Sequence, residues 1–570
     1  MLNKRILTAS QRLPDNSRAL GQTAVLSLAA GLTSVAFLFC TDLLFRRTYL
    51  AFAGRSKPAF AALSLLVILG FSLLVALLLR FAAPEAAGSG IPQLKADYWK
   101  EMGVVPFKSV AAKFAAGVLS IAGGNSLGRE GPSVYIGGGT SSGLAGLMGV
   151  PRSERRGAAA VGAAAGLAAA FNTPLAAITF VIEEIIGDFN SRYLGRVILS
   201  SVLGAMVVHA LLGRQPAFSL PSVDGVGWSH YLVVPFAAGL AALAGQVFQR
   251  AMLALRGRLR RAARGAAWMF PLAGGFLTWV IGIAIFWLTG RIGVFGLGYG
   301  DLSAALNDRF PWQIAGLMVV AKLAATVIGY GFGGSGGIFA PSLFIGGMAG
   351  YFTAGLAGLW LPLTGADRIV LAAVGMSACL GTIVRAPLTS VLIVFEMTHQ
   401  FELVPGLMIG LVISQAVAKL AGGHGLYDAL LVQDGHELHK IRPPLDLQGW
   451  QDLPVRAVAN PKPVFLTSAD SASLRALIDR HPFRIYPVLE DGRLKGLVTR
   501  EQIQDSLRTS IPPDVRPALT CLPEETIRAI GDRFVQSAVP FLVVVDPDDG
   551  TIRGIVTLHD LIRAQAAVRQ

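Results

Sequence analysis

A charged pair between long apolar runs constrains this chain more than any other feature. The segment 128–132 reads Gly-Arg-Glu-Gly-Pro, and apolar runs flank it on both sides. At membrane depth an ionisable side chain is costly and is a functional candidate by default. Pro132 suits the first turn of the apolar helix that follows, so Glu130 is expected at a helix N-terminus, where free N–H groups favour negative charge. Glu130 is thus a candidate to compete with an anion; the alternative is a glutamate that only caps its own helix.

Composition places the chain in a membrane. Of its 570 residues, 53% are hydrophobic and 15% are charged, whereas soluble domains carry about 25% charged residues. The net charge of +14 comes partly from clusters beside apolar runs, such as 4–18 and 250–264, which are typical of cytoplasmic flanks. Nucleic acid is therefore not expected as a partner. The scattered cysteines, Cys40, Cys379 and Cys521, predict neither a disulfide framework nor a metal site.

An internal repeat divides the apolar part. Residues 128–138 match 337–347 at an offset of 337 − 128 = 209, and a second block, 162–183, matches 375–396 at an offset of 375 − 162 = 213. Two related halves are therefore expected within a transmembrane domain. Transporter folds are often inverted repeats with the substrate site at their interface. The domain is expected at 21–430, with halves at about 21–213 and 230–430, after a cytosolic segment, 1–20.

Glycine-rich interruptions at 88–90, 123–131 and 331–337 are the best candidates for an ion site. Non-helical backbone at membrane depth is tolerated only where it is buried in protein or lines a cavity.

The chain beyond the apolar part has a different character. Residues 431–453 are predicted to form a linker, and 454–570 to form a soluble tandem α/β module. Strand, strand and helix patterns occur twice there, and the shared Gly-hydrophobic-Val-Thr segments end at Thr499 and Thr557, at an offset of 557 − 499 = 58.

Three motifs together resemble the CLC family of chloride channels and transporters: Gly88-Ser-Gly-Ile-Pro92, Gly128-Arg-Glu-Gly-Pro132 and Gly337-Ile-Phe-Ala-Pro341. The tandem module resembles a pair of CBS domains. The resemblance implies an all-α polytopic membrane protein of two inverted-topology repeats with broken helices, plus a small cytosolic α/β CBS pair. It also implies a homodimer in the lipid bilayer with one anion pathway per subunit, not an enzyme, multi-pass in the bacterial inner membrane with cytosolic termini.

The resemblance also assigns the ion site. It implies that chloride contacts the Ser89 hydroxyl beside Gly90, the amides of Ile338 and Phe339, and the Tyr427 hydroxyl, with Glu130 as the external gate. Neutral donors suit a partly dehydrated halide, because a fixed cation would hold it too tightly. Taken alone, Ser89 would more often be a turn residue, and Tyr427 an interfacial anchor. Arg129 is expected to pair with a carbonyl or carboxylate rather than with the halide.

Two adjacent carboxylates bear on proton coupling. Glu183 matches Glu396 in the repeat, whereas Glu184 aligns with Met397. A matched position suggests a shared structural role, such as bonding backbone amides or lining a dimer face. Glu184 therefore fits the internal proton-transfer glutamate of the family's antiporters better than Glu183. The alternative is that both are cytoplasmic-end carboxylates without a transport role.

The expected function is chloride/proton antiport, with chloride and protons as substrates, gated by Glu130 and coupled through Glu184, and with no required cofactor. A passive chloride channel and a fluoride/proton antiporter remain alternatives, although Ser89 and the intact 128–132 motif disfavour fluoride. A membrane-embedded serine hydrolase using Ser89 lacks a nearby His-Asp pair. In the tail, Thr557 and Asp560 match a CBS signature for adenine nucleotides, and Gln502 replaces the acidic residue in the first repeat; a pure scaffold is the alternative.

Overall fold

The structure is a computed structural model that describes most of the chain. The described residues are 15–189, 193–213, 217–218, 220–221, 227–262, 267–436, 451, 453–461, 463–468, 470–537, 540–547 and 550–567. Two units emerge, Met1–Arg442 and Pro443–Gln570, and each is treated by itself below. Most of the predicted N-terminal segment, 1–20, and most of the predicted linker, 431–453, lie outside the described residues.

The first unit consists of helices that fall into two successive sets. The first set is α1 (Asp15–Phe45), α2 (Lys57–Phe81), α3 (Ile91–Lys100), α4 (Phe107–Ala122), α5 (Glu130–Leu147), α6 (Arg155–Phe171), α7 (Pro174–Phe180) and α8 (Leu194–Leu211). The second set is α9 (Ser229–Ala262), α10 (Phe270–Thr289), α11 (Tyr299–Leu306), α12 (Trp312–Gly331), α13 (Phe339–Ala357), α14 (Gly365–Val384), α15 (Pro387–Thr398) and α16 (Val404–Ala421). A π-helical turn, Val181–Ile186, continues α7, and α17 (Leu426–Gln433) follows the second set.

The two sets are the predicted inverted repeats. The first residues of α5 and α13 stand at an offset of 339 − 130 = 209, and the last residues of α6 and α14 at an offset of 384 − 171 = 213. Gly128 and Gly337, which the first of these offsets also relates, form an antiparallel bridge in which each N–H donates to the other's carbonyl, at 2.7 and 2.6 Å. Reciprocal bonding between equivalent residues is what a two-fold relation between the halves produces.

Hydropathy and burial together separate the helices that face lipid from those of the core. Among the described residues, 9 helical stretches are long and apolar enough to cross a membrane. The apolar window of Lys57–Phe81 is only 28% buried in protein, whereas that of Gly365–Val384 is 94% buried. The chain is therefore a multi-pass membrane protein in which the most buried apolar runs pack against protein rather than lipid.

The predicted broken helices are present. The apolar run 157–186 is divided at Asn172, and the run 368–396 at Arg385, where the backbone turns left-handed at φ 59° and 62°. These residues end α6 and α14, as left-handed C-cap residues commonly do. Each short helix that follows begins with a proline, which cannot continue the preceding helix.

Glycine pairs set the closest helix crossings in both halves. A Cβ added at Gly137 of α5 would lie 2.3 Å from the Gly162 carbonyl oxygen of α6, and one at Gly346 of α13 would lie 2.2 Å from that of Gly375 of α14. The backbones approach too closely for any side chain, which explains part of the high glycine content. These crossings hold α5 against α6 and α13 against α14.

The second unit contains the predicted tandem α/β repeats. Its elements are α18 (Ser471–Arg480), β1 (Ile485–Glu490), β2 (Arg493–Thr499), α19 (Arg500–Thr509), β3 (Thr520–Cys521), α20 (Ile527–Ser537), β4 (Phe541–Val545), β5 (Ile552–Thr557) and α21 (Leu558–Ala567). Strands β1 and β2 pair antiparallel, β4 pairs antiparallel with β5, and β3 lies parallel to β4. Separate apolar clusters around Tyr486 and Leu542 give each repeat its own core.

Candidate anion and proton sites

The three glycine-rich interruptions meet in one place. The Gly88 N–H donates to the Gly334 carbonyl, and the Gly336 N–H donates to the Gly88 carbonyl, both at 3.0 Å. The bridge between Gly128 and Gly337 joins the remaining loop. The non-helical backbone thus satisfies its hydrogen bonds between loops, as it must away from water.

The Glu130 carboxylate lies within this junction and is fully buried. Its Oε1 accepts a hydrogen bond from the Tyr299 hydroxyl at 3.1 Å, and its Oε2 accepts one from the Ala340 N–H at 3.4 Å. A Cβ added at Gly128 would lie 2.1 Å from Oε2, so the motif's first glycine makes room for the carboxylate. The side chain therefore reaches beyond its own helix to the N-terminus of α13, where a negative charge is stabilised.

Two further predicted residues present buried hydroxyls without partners. Neither Ser89 Oγ nor Tyr427 OH has a partner with hydrogen-bond geometry within the described structure, although the two hydroxyls are near enough to interact with each other. The Ser89 hydroxyl packs against α5, because a Cβ added at Gly131 would lie 2.2 Å from it. The Tyr427 ring lies 6.3 Å from that of Phe339 between centroids. Buried polar groups are normally satisfied, so this pair of hydroxyls indicates a site for a polar ligand.

The remaining predicted anion contacts lie at helix starts. Ile338 is the N-cap of α13 and Phe339 is its first residue, so their amides have no acceptor within the helix. Gly90 caps α3 with a left-handed φ of 94°, and a Cβ there would lie 2.8 Å from that of Tyr135. The structure brings these residues to the same junction; their contact with an anion stays a prediction.

The adjacent carboxylates Glu183 and Glu184 have different surroundings. Glu183 accepts hydrogen bonds from the N–H groups of Leu388 and Thr389 at 3.1 and 2.9 Å. Glu184 Oε1 instead lies 2.8 Å from the buried Lys95 ammonium. Glu183 therefore bonds backbone amides, one of the structural roles expected for it, and Glu184 belongs to a charged cluster.

That cluster contains a third member. Lys95 Nζ also lies 2.6 Å from Asp428 Oδ1, so one ammonium bridges two carboxylates. Asp428 follows Tyr427 directly and lies in the first turn of α17. The cluster therefore connects the proposed proton carboxylate to the helix that carries the proposed anion ligand.

Sequence reasoning missed Lys95, Asp428 and Tyr299. The first two carried a usable signal, because ionisable residues within an apolar domain are functional candidates. Lys95 follows shortly after Gly90, and Asp428 directly follows Tyr427. Tyr299 lies 169 residues from Glu130 and carried no such signal.

The interpretation of Arg129 also changes. Its Nε is buried without a hydrogen bond among the described residues. Its guanidinium lies 5.7 Å from the centroid of the Tyr299 ring and attracts the neighbouring Glu130 carboxylate electrostatically. An aromatic face therefore helps to position this cation beside Glu130.

Cavities approach the junction from two ends. One cavity, about 590 Å³ and called the outer cavity below, is lined by Arg129 and Tyr299 among others. A second, about 670 Å³ and called the inner cavity, is lined by residues that include Gly88 and Tyr330, and Tyr330 accepts a hydrogen bond from the Ser89 N–H at 3.3 Å. The first cavity thus reaches the neighbour of Glu130, and the second reaches the neighbour of Ser89.

The comparison with family models decides the assignment. The model described as "Voltage gated chloride channel" matches residues 71–419, more than half of the chain. The chain belongs to the CLC family. A CBS domain model matches residues 514–567, the second repeat of the tail.

CLC relatives and solved CLC structures agree with this assignment. The "H(+)/Cl(-) exchange transporter ClcA" of Vibrio campbellii (strain ATCC BAA-1116) is 31% identical over 355 residues, which are 62% of this chain and 75% of the relative. A slow cyanobacterial Cl⁻/H⁺ antiporter has 26% identity and a TM-score of 0.67, covering 73% of this chain and 97% of that one. A eukaryotic CLC transporter, at 21% identity and a TM-score of 0.60, covers 95% of this chain and 98% of that one, and shows the fold alone.

Proposed function

We propose that this CLC protein is a chloride/proton antiporter gated by Glu130 and coupled through Glu184. The observation that carries the proposal is the position of the Glu130 carboxylate, which accepts hydrogen bonds from the Ala340 N–H at the start of α13 and from the Tyr299 hydroxyl. Such donors suit a halide as well as a carboxylate, because both are anions that accept hydrogen bonds.

Exchange follows from competition for this position. The ionised Glu130 carboxylate occupies this position, called the anion seat below, and keeps chloride out. Protonation removes its charge and its attraction to the helix end, so the side chain leaves toward the outer cavity and chloride takes its place. Because the proton and chloride both require Glu130 to move, their fluxes are coupled in opposite directions.

The chloride that passes Glu130 is held next by neutral donors. The hydroxyls of Ser89 and Tyr427, both buried without a partner, act together with the backbone at Gly90, Ile338 and Phe339. Partial charges of this kind replace part of the hydration shell and still allow the ion to leave. None of these residues carries a full positive charge, which would bind the chloride too tightly to release it.

Glu184 delivers the proton from the other side through its cluster with Lys95 and Asp428. One ammonium faces two carboxylates at 2.8 and 2.6 Å. When Glu184 takes up a proton, Lys95 keeps Asp428 as a partner, so no buried charge is left alone. The cluster can therefore change its protonation state without exposing an unpaired ion to the protein interior.

The wider setting of the protein is proposed on the same family basis. The antiporter acts as a homodimer in the bilayer of a bacterial inner membrane, with both termini cytosolic. The transmembrane domain spans 21–430, the linker 431–453 and the CBS pair 454–570. Thr557 and Asp560 of the CBS pair contact an adenine nucleotide.

Reconstitution of the purified protein into liposomes tests the proposal. A chloride gradient should drive proton movement in the opposite direction, recorded together by a chloride electrode and a pH electrode. The reversal potential should shift with the pH gradient. A reversal potential that ignores pH would identify a passive channel instead, and a strong preference for fluoride over chloride would identify a fluoride antiporter.

A further inference from the structure

The Glu130 carboxylate has a hydroxyl partner from the other half of the repeat. Tyr299, at the start of α11, donates its hydroxyl to Glu130 Oε1 at 3.1 Å. It lies in the second half of the repeat, whereas Ser89 lies in the first. Both halves therefore bring a hydroxyl to the junction.

A buried lysine holds the loop in front of Tyr299. Lys322 is fully buried, and its ammonium donates to the carbonyls of Gly293, Val294 and Gly296 at 2.9, 3.2 and 2.7 Å. The Gly293 N–H in turn donates to Asp301 Oδ2 at 2.8 Å. Three hydrogen bonds from one side chain to the carbonyls of a short loop make this loop a rigid support for the residue that follows it.

The first half uses the same device. Lys113, which is related to Lys322 by an offset of 322 − 113 = 209, is also fully buried. Its ammonium donates to the carbonyls of Ala86, Ala87 and Gly88 at 2.7, 3.3 and 2.9 Å. That loop leads directly to Ser89, the hydroxyl proposed as a chloride ligand. The offset equals that of the glycine motifs, so the two lysine-held loops are equivalent parts of the repeat.

Two neighbouring side chains contact the ring of Tyr299. Phe218 meets it edge-on, with ring centroids 5.1 Å apart and planes at 65°, and the Arg129 guanidinium lies 5.7 Å from its centroid. The residue also lines the outer cavity. A hydroxyl held in this way keeps its position when its present acceptor leaves, and the nearby cation favours an anion as the replacement.

We infer that the Tyr299 hydroxyl is a ligand of the outer anion position. It holds the Glu130 carboxylate while that side chain fills the seat, and it donates to chloride when the carboxylate has left. A neutral O–H donor stabilises either anion without the tight binding of a full cation. This inference rests on the proposed function, since it requires Glu130 to give up its place.

The test uses the Glu130→Ala protein, in which the seat is free of its carboxylate. Chloride binding is measured by isothermal titration calorimetry in Glu130→Ala and in Glu130→Ala/Tyr299→Phe. Loss of the hydroxyl should weaken chloride binding about tenfold, which corresponds to about 1.4 kcal/mol. The melting temperature should stay unchanged, because phenylalanine keeps the contacts with Phe218 and Arg129.

Tyr351→Phe in the same background is the matched control. The Tyr351 hydroxyl bonds Asp308 and the Phe310 carbonyl, so its loss should leave chloride affinity unaltered. Equal chloride affinity with and without the Tyr299 hydroxyl would overturn the inference and leave the gating role of Glu130 intact. Proton pumping by Glu130→Ala alone would instead overturn the proposed function.

Discussion

Glu183 and Glu396 each cap the first turn of a helix in the opposite half of the repeat. Glu183, just after α7, accepts hydrogen bonds from two amides in the first turn of α15 at 3.1 and 2.9 Å. Glu396, within α15, accepts them from two amides in the first turn of α7 at 2.9 and 2.7 Å. Free N–H groups at both helix starts are thus satisfied by a carboxylate from the opposite half.

These reciprocal hydrogen bonds predict a structural role for both glutamates. Glu183→Gln and Glu396→Gln should each destabilise the protein by about 1 kcal/mol, because the first-turn amides lose a charged acceptor. The ratio of protons to chloride in liposomes should remain that of the unaltered protein. Thermal unfolding in detergent and paired flux measurements check the two parts; a changed ratio at normal stability would contradict the assignment.

Glu130→Ala should separate the two fluxes. Without the carboxylate nothing competes for the anion seat or carries the proton through it, so chloride flux should persist and chloride-driven proton transport should disappear. The measurement is simultaneous chloride and pH recording in liposomes. Glu402→Ala, at an exposed glutamate of the same unit, is the control and should pump protons normally. Proton pumping that survives in Glu130→Ala would show that another group carries the proton.

Glu184→Gln should also abolish proton transport, for a different reason. Glutamine still accepts a hydrogen bond from Lys95, and Lys95 keeps its ion pair with Asp428 at 2.6 Å, so the local structure should survive. The amide cannot take up and release a proton near neutral pH. Chloride binding, measured by calorimetry, should remain unchanged. Normal proton transport in this variant would return the role to its neighbour or to no glutamate at all.

Much of this arrangement could be predicted from the sequence because the fold repeats itself. The two offsets between the matching sequence blocks located the equivalent helix starts, and the apolar runs located most of the spans. The same alignment singled out Glu184 as the carboxylate without a counterpart. The matching sequence blocks fold alike because each half contains the same close contact between two helices at a pair of glycines.

The missed contacts share a physical cause. Tyr299 reaches Glu130 only after the halves fold together, and a tyrosine beside apolar spans resembles any interfacial anchor. Lys95 and Asp428 are 333 residues apart, so their pairing required the position of α17, which lies outside the repeat. The Arg129 guanidinium lies over the Tyr299 ring, which no local pattern indicates.

Tyr427→Phe should weaken chloride binding without changing the fold. The Tyr427 hydroxyl is buried without a hydrogen-bond partner, and a bond from it to a halide would contribute about 1.5–3 kcal/mol. Calorimetry should therefore show chloride binding at least tenfold weaker. Tyr49→Phe is the control, because the Tyr49 hydroxyl bonds the Gly123 carbonyl at 3.0 Å. Equal affinities in Tyr427→Phe and Tyr49→Phe would remove Tyr427 from the site.

The CBS tail offers a variant that separates structure from nucleotide binding. Asp560 Oδ2 accepts hydrogen bonds from the Thr557 N–H and hydroxyl at 2.9 and 2.6 Å, which caps α21. In the first repeat Gln502 Oε1 accepts the Thr499 N–H at 2.8 Å and caps α19 in the same way. A glutamine therefore suffices for the cap, and the carboxylate of Asp560 is available for a further role.

Asp560→Gln should accordingly keep the stability of the unliganded protein and lose its response to nucleotide. ATP or AMP is expected to raise the melting temperature of the unaltered protein, because a ligand that binds only the folded state stabilises it. In Asp560→Gln that rise should be absent, since an amide lacks the negative charge that accepts both ribose hydroxyls strongly. A rise of equal size in the variant would exclude Asp560 as a contact, and no rise in either protein would make the tail a scaffold.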